Sequence, residues 1–245
     1  MDFISRNEFA VLQQNFDGNI AHFPIILSVL EGSQDGFILR EKYTFIIVHK
    51  FGFSFILGED CDYILFLEKA KNKLKFKVPT LRIYDPDDRL GNTNLAGVER
   101  VKLEGQKNTS KVDKSILGLT SVENFNGDFC SNFDLDLFSR FWRNEYEFRT
   151  FSLGVTTKDI QGICYATSVA NRRAEVDVFV EADSRAVGLA TSLVLLFKHN
   201  CEQSGVIPVW DCYSNNIPSV KLAGKTGFDK LFKYNFYTLP IGGNK

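Results

Sequence analysis

The chain has 245 residues, 44% hydrophobic and 24% charged, long enough for one large domain or two small ones, which excludes both a disulfide-stapled miniprotein and a disordered chain. Its 29 Lys and Arg against 30 Asp and Glu give a formal net charge of -1, so no global positive field draws it to nucleic acid or to an anionic membrane. The longest apolar stretch, Phe23 to Leu30, is interrupted by Ser28 and falls well short of the roughly 18 residues that cross a bilayer. The start, Met1 to Glu8, lacks the basic region and apolar core of a secretory signal, so the expectation is a cytoplasmic protein. Five scattered cysteines without a CxxC pair, and three scattered histidines (His22, His49 and His199), fit reduced thiols and no metal site.

In chain order, a short amphipathic stretch carries Phe9, Val11, Leu12 and Phe16. Two aromatic and β-branched runs follow, Tyr43 to Val48 and Phe51 to Leu57, and their spacing predicts a hairpin. Leu65, Leu67, Ala70 and Leu74 with interleaved lysines predict a helix; Val78-Pro79 then forces extended backbone into a strand at Leu81 to Tyr84, closed by the turn cluster Asp85 to Asp88. From Gly105 to about Phe129 the chain is polar and turn-rich. The expected boundary falls there, giving an N-terminal α/β domain over residues 1–128 and a second domain over 129–245. Leu135, Phe138 and Trp142 predict a helix across Phe133 to Trp142. Phe148 to Val155, Gly162 to Val169 and Ala174 to Val180 then predict three strands joined by connections short enough for an antiparallel meander.

The last of these strands alternates Val176, Val178 and Val180 on one face with Glu175, Asp177 and Phe179 on the other, so two carboxylates share one side. Beyond a loop, Ala190, Leu193, Val194, Phe197 and Cys201 recur at helical spacing and predict a helix starting near Val187 with Gly188 in its first turn. The first amides of a helix lack internal acceptors, and a glycine lets an anion approach them; the inference is a phosphate cradle supplied by those amides and by Arg185.

Arg185-Ala186-Val187-Gly188-Leu189-Ala190 is similar to the R/Q-x-x-G-x-G/A signature of the GNAT superfamily of N-acetyltransferases, between a strand and a helix as there. Val206 to Asp211 reads as the next strand, and Asn216-Ile217-Pro218-Ser219 followed by Ala223 and Gly227-Phe228 resembles that superfamily's N-x-x-A/S…G-F segment. The strand Pro208-Val209-Trp210-Asp211 is similar to a less studied bacterial branch, and the resemblance covers about Phe133 to Leu239. It implies a mixed, mostly antiparallel sheet flanked by helices, with acetyl-CoA as cosubstrate. The pyrophosphate would lie on the loop from Arg185 to Ala190, with Thr191 adding a hydroxyl. The pantetheine would run along the backbone of Val178, Phe179 and Val180, with Asn216 and, less directly, Ser219 near its arm.

The implied chemistry is direct transfer of acetyl to a primary amine. A backbone N–H near Val178 would hold the oxyanion, with Glu175 or Asp177 as the base that removes the amine proton. Many members carry a tyrosine as general acid in the helix before the Gly-Phe pair; here the matching position is Ala223, and Tyr213 is the candidate replacement. Cys164 and Cys212 are read as buried small hydrophobes and not as acyl carriers. The expectation is an N-acetyltransferase acting on a small-molecule amine, without a nucleic-acid or membrane partner. The alternatives are a noncatalytic acetyl-CoA-binding regulatory module, suggested by the missing tyrosine, and a protein N-acetyltransferase.

Overall fold

A computed structural model describes residues 1–13, 18–58, 62–106, 152–156, 161–180, 182 and 188–241. Two units emerge, one comprising Met1–Val101, Tyr213–Asn215 and Phe232–Lys245, the other Lys102–Cys212 and Asn216–Leu231. The expected boundary between residues 128 and 129 and the expected helix from Phe133 to Trp142 lie outside the described residues.

The first unit begins with β1 (Asp2–Phe3), α1 (Arg6–Gln13), a 3-10 turn at Gly18–His22 and α2 (Pro24–Leu30). Strands β2 (Gly36–Glu41), β3 (Thr44–His49) and β4 (Phe53–Leu57) pair antiparallel in sequence, with β3 and β4 forming the expected hairpin. Helix α3 (Tyr63–Leu74) then carries the chain to β5 (Thr80–Asp85), which is parallel to β4, as a helical crossover permits. Asp62 caps α3 by accepting the Leu65 N–H at 3.0 Å. Its inner face is Phe66, Leu67, Ala70 and Leu74, while Leu65, placed on that face by spacing, is exposed. Every side chain of α2 is buried, so the segment has no polar face and no helical period to read; Pro24 in its first turn supplies the start. Phe23 stands among Phe55, Tyr84 and Tyr234 at ring-centroid distances of 5.5, 4.7 and 5.4 Å.

The second unit holds β7 (Ser152–Thr156), β8 (Gln161–Ala170) and β9 (Arg173–Val180) as the expected antiparallel meander. Helix α4 (Leu189–Gln203) lies over these strands and leads to β10 (Ile207–Tyr213), which pairs parallel with β9. Leu193, Val194, Phe197 and Cys201 of α4 are buried, as their spacing predicts. Helix α5 (Ile217–Lys225) follows. Two further strands, β6 (Gly97–Gly105) and β11 (Phe228–Pro240), had no sequence expectation. Each unit is therefore mixed α/β with mostly antiparallel strands. No helix among the described residues is long and apolar enough to cross a membrane.

Candidate active site

Backbone pairing between β9 and β10 runs Arg173 with Ile207, Ala174 with Pro208 and Glu175 with Val209, and stops there although both strands continue. From Val176 to Val180, β9 is paired only with β8 among the described residues. The ladder on its β8 side is disturbed at the same level: a register shift between Ala166 and Ser168 makes Thr167 an extra residue, and its hydroxyl donates to the Glu175 carbonyl at 3.3 Å. Bulges of this kind re-aim side chains beside functional sites. The parallel strands thus separate at the level of this bulge, and Val178, Phe179 and Val180 lie on the stretch beyond.

The start of α4 is set by packing. A Cβ on Gly162 of β8 would come within 3.0 Å of Leu189, 3.1 Å of Leu193 and 3.2 Å of Val180, so the first turn of the helix sits directly against β8 and the end of β9. Gly188 is the N-cap and not a first-turn residue, with φ of +83°, where side-chain-bearing residues are strained. No side chain caps this helix among the described residues, and Leu189, Ala190 and Thr191 occupy its first turn, where amides lack helical acceptors. Such an end is suited to an anion. Arg185, Ala186 and Val187 lie outside the described residues.

The two carboxylates of β9 share one side of the strand but are not equivalent. Asp177 is exposed, whereas Glu175 is 7% exposed and lies 3.2 Å from the buried ammonium of Lys102, which also lies 3.1 Å from Asp211. Asp177 accepts the Tyr165 hydroxyl at 2.8 Å and the N–H of Val178 at 2.9 Å. The amide considered for the oxyanion is thus held by the neighbouring carboxylate. Sequence reasoning missed Lys102, Asp211 and Tyr165. The only hint for Lys102 was a lone lysine flanked by Val101 and Leu103.

Asn216 and Ser219 come together at the start of α5. The Asn216 side chain accepts the Ser219 N–H at 3.3 Å as the helix cap, and the Ser219 hydroxyl accepts the buried Trp210 indole N–H at 3.0 Å. The Gly-Phe pair also acquires a physical account. Gly227 has φ of +75°, and a Cβ there would come within 2.9 Å of the Lys198 ammonium, which donates to the carbonyls of Thr226 and Gly227 at 2.7 and 2.8 Å. Burial lowers the pKa of that ammonium. Tyr213 belongs to the first unit, with the Arg100 guanidinium 4.5 Å from its ring centroid and Phe236 at 6.3 Å.

Burial pushes the Cys164 thiol well up, helped by the nearby Cys201 and Asp177, and pushes Cys201 up to about 12. Cys164 and Cys212 are both buried, as read from the sequence. No group of His, Cys, Asp and Glu able to hold a metal ion occurs among the described residues.

A mixed sheet whose parallel strands diverge beside a helix opening on a left-handed glycine defines a GNAT-type fold. The GNAT acetyltransferase family model matches residues 22–237, and the chain belongs to that family, which generally uses acetyl-CoA. The match reaches far into the first half, where no motif is legible. The chain is 27% identical over 108 residues to the uncharacterized N-acetyltransferase YdfB of Bacillus subtilis (strain 168), a match spanning 43% of this chain and 41% of that relative. Among solved structures it resembles a GCN5-related N-acetyltransferase-like protein from Streptococcus suis 89/1591, at 18% identity and a TM-score of 0.58, covering 96% of this chain and all (100%) of that one. A GCN5-related N-acetyltransferase from Sphaerobacter thermophilus matches at 11% identity and a TM-score of 0.62, covering 99% of this chain and 96% of that one. Both likenesses concern the fold.

Proposed function

We propose that the protein transfers an acetyl group from acetyl-CoA to the primary amine of a small molecule by direct attack. The observation that carries this reading is the divergence of β9 from β10 after Glu175 and Val209, beside a helix that opens on Gly188 without a side-chain cap. The pantetheine amides would pair with the backbone of Val178 to Val180, and the pyrophosphate would lie at the first turn of α4 with Arg185.

In this reading the amine nitrogen attacks the thioester carbonyl, the oxyanion takes a hydrogen bond from the Val178 N–H, and collapse expels the CoA thiolate. A thiolate is a tolerable leaving group, so no dedicated acid is needed. Asp177 is the better base candidate: it is exposed and already bonded to Tyr165, whereas Glu175 is buried beside an ammonium. Asp177 releases the Val178 N–H before that amide faces the oxyanion, and the freed carboxylate then takes the amine proton.

The test is mass spectrometry of an amine library incubated with the protein and acetyl-CoA. A specific N-acetylated small molecule is the expected result. Coenzyme A binding without any acetylated product would favour the noncatalytic module, and acetylation confined to peptides would favour the protein N-acetyltransferase.

A further inference from the structure

Lys102 has no part in the steps proposed above, yet it stands at the point where β9 and β10 stop pairing. Its side chain is fully buried (0% exposed), with Glu175 Oε1 at 3.2 Å and Asp211 Oδ2 at 3.1 Å, and the two carboxylate side chains are themselves only 10% and 3% exposed. The three residues come from three strands, β6, β9 and β10. Glu175 is the last residue of β9 to pair with β10, opposite Val209; Asp211 lies two residues past Val209, so it shares that face of β10 beyond the last rung. The ammonium therefore ties one carboxylate on each strand at the level where their backbone pairing ends. On the other side of β9, the Thr167 bulge holds the Glu175 carbonyl.

Withdrawing a lysine and two carboxylates from water is costly, and buried ion pairs are weak sources of stability compared with apolar side chains of the same volume. Lys102 is flanked in sequence by the buried residues Val101 and Leu103, so an apolar residue would suit a purely structural role at this position. An ion pair differs from apolar packing in direction: it fixes where two carboxylates stand relative to each other. We propose that Lys102 is a positioning residue that sets the separation of β9 and β10 at the root of their fork, and with it the width of the slot that receives the pantetheine arm. The proposal rests on the acetyl-CoA reading of the site.

The experiment measures coenzyme A affinity by calorimetry and thermal stability on the full chain. The variants are Lys102→Met, Lys102→Arg, Asp211→Asn and the charge-free triple variant Lys102→Met/Glu175→Gln/Asp211→Asn. Lys102→Met removes the ammonium from between two buried carboxylates and loses both stability and affinity. The triple variant removes that charge penalty, so it regains most of its melting temperature yet binds coenzyme A about tenfold or more weakly than wild type. Lys102→Arg, which keeps a cation between the carboxylates, stays within about threefold of wild type. Wild-type affinity in the triple variant, or affinity as weak as the triple variant's in a folded Lys102→Arg, overturns the proposal and leaves the acetyl-CoA reading intact. Should the triple variant not fold, Asp211→Asn decides: weakened coenzyme A binding at an unchanged melting temperature supports the clamp, and unchanged binding overturns it. Absence of coenzyme A binding by the wild-type protein overturns both readings.

Discussion

Gly188 offers a way to separate the cost of a backbone conformation from the cost of a filled cradle. Its φ of +83° is disfavoured by alanine and tolerated by asparagine. Apart from Gly188 and its chain neighbours, no heavy atom among the described residues lies within 4 Å of the position a Cβ would take, so neither substitution collides with those residues. Gly188→Ala is expected to cost about 1–2 kcal/mol of left-handed strain, or roughly 2–8 °C of melting temperature for a chain of this size. Gly188→Asn costs a small fraction of that. Both place atoms where a pyrophosphate would meet the amides of Leu189, Ala190 and Thr191. Hydrogen bonds to a charged partner contribute about 1.5–3 kcal/mol each, so losing even one weakens coenzyme A by about tenfold or more. Pantetheine lacks the pyrophosphate and serves as the control. Calorimetry should show coenzyme A affinity falling sharply in Gly188→Asn, near-wild-type stability, and an unchanged response to pantetheine. Equal loss for both ligands, or no loss for coenzyme A, would refute the cradle.

Asp177→Asn should lower turnover by about 100-fold or more once an acceptor is in hand, with coenzyme A affinity nearly unchanged; a turnover number equal to wild type would remove Asp177 from the chemistry. Ser219→Ala leaves the buried Trp210 indole N–H without its hydroxyl partner and should cost about 1–3 kcal/mol in urea unfolding, an expectation that a change below about 0.5 kcal/mol would contradict. His49 is buried, and burial aided by Lys50 lowers its pKa from 6.5 to about 3. The unfolded chain therefore takes up a proton there below pH 6.5 that the folded chain refuses. Stability from this group is full above that pH and is lost as pH falls toward 3, by about 2 kcal/mol at pH 5. His49→Gln should flatten the wild-type decline between about pH 7 and 5, and parallel profiles for the two proteins would count against the assignment.

What could be read in advance depended on whether local pattern and tertiary role agreed. Helices α3 and α4 each bury one face, so their period survives in the sequence, whereas the β3–β4 hairpin is buried on both faces and was legible from its runs of β-branched and aromatic residues. Helix α2 buries every side chain and shows no period. Strand β6 carries Glu99, Arg100, Lys102 and Glu104, yet Lys102 is buried by pairing across the sheet, a role that local spacing does not encode. The same limit applies at the site. The Gly188 turn was legible because left-handed glycine before a helix is a local device. Glu175 and Asp177 looked alike because both lie on one side of β9; Lys102 beside Glu175 and the Tyr165 hydroxyl on Asp177, both remote in sequence, distinguish them. Asn216 and Ser219 were found by motif, but their visible bonds serve the helix cap and Trp210.

Beyond the last β9–β10 rung the N–H of Val178 lies on a strand rim, and rim amides and carbonyls can recruit a foreign strand as readily as the intended one. The Asp177 carboxylate folded onto the N–H of Val178 occupies one donor on that rim and sets a negative charge beside it, which are two of the means by which proteins discourage strand addition. Asp177→Asn or Asp177→Ala would thus do more than alter chemistry: each removes a guard against self-association, and the aggregation rate of such a variant should fall again when coenzyme A is added.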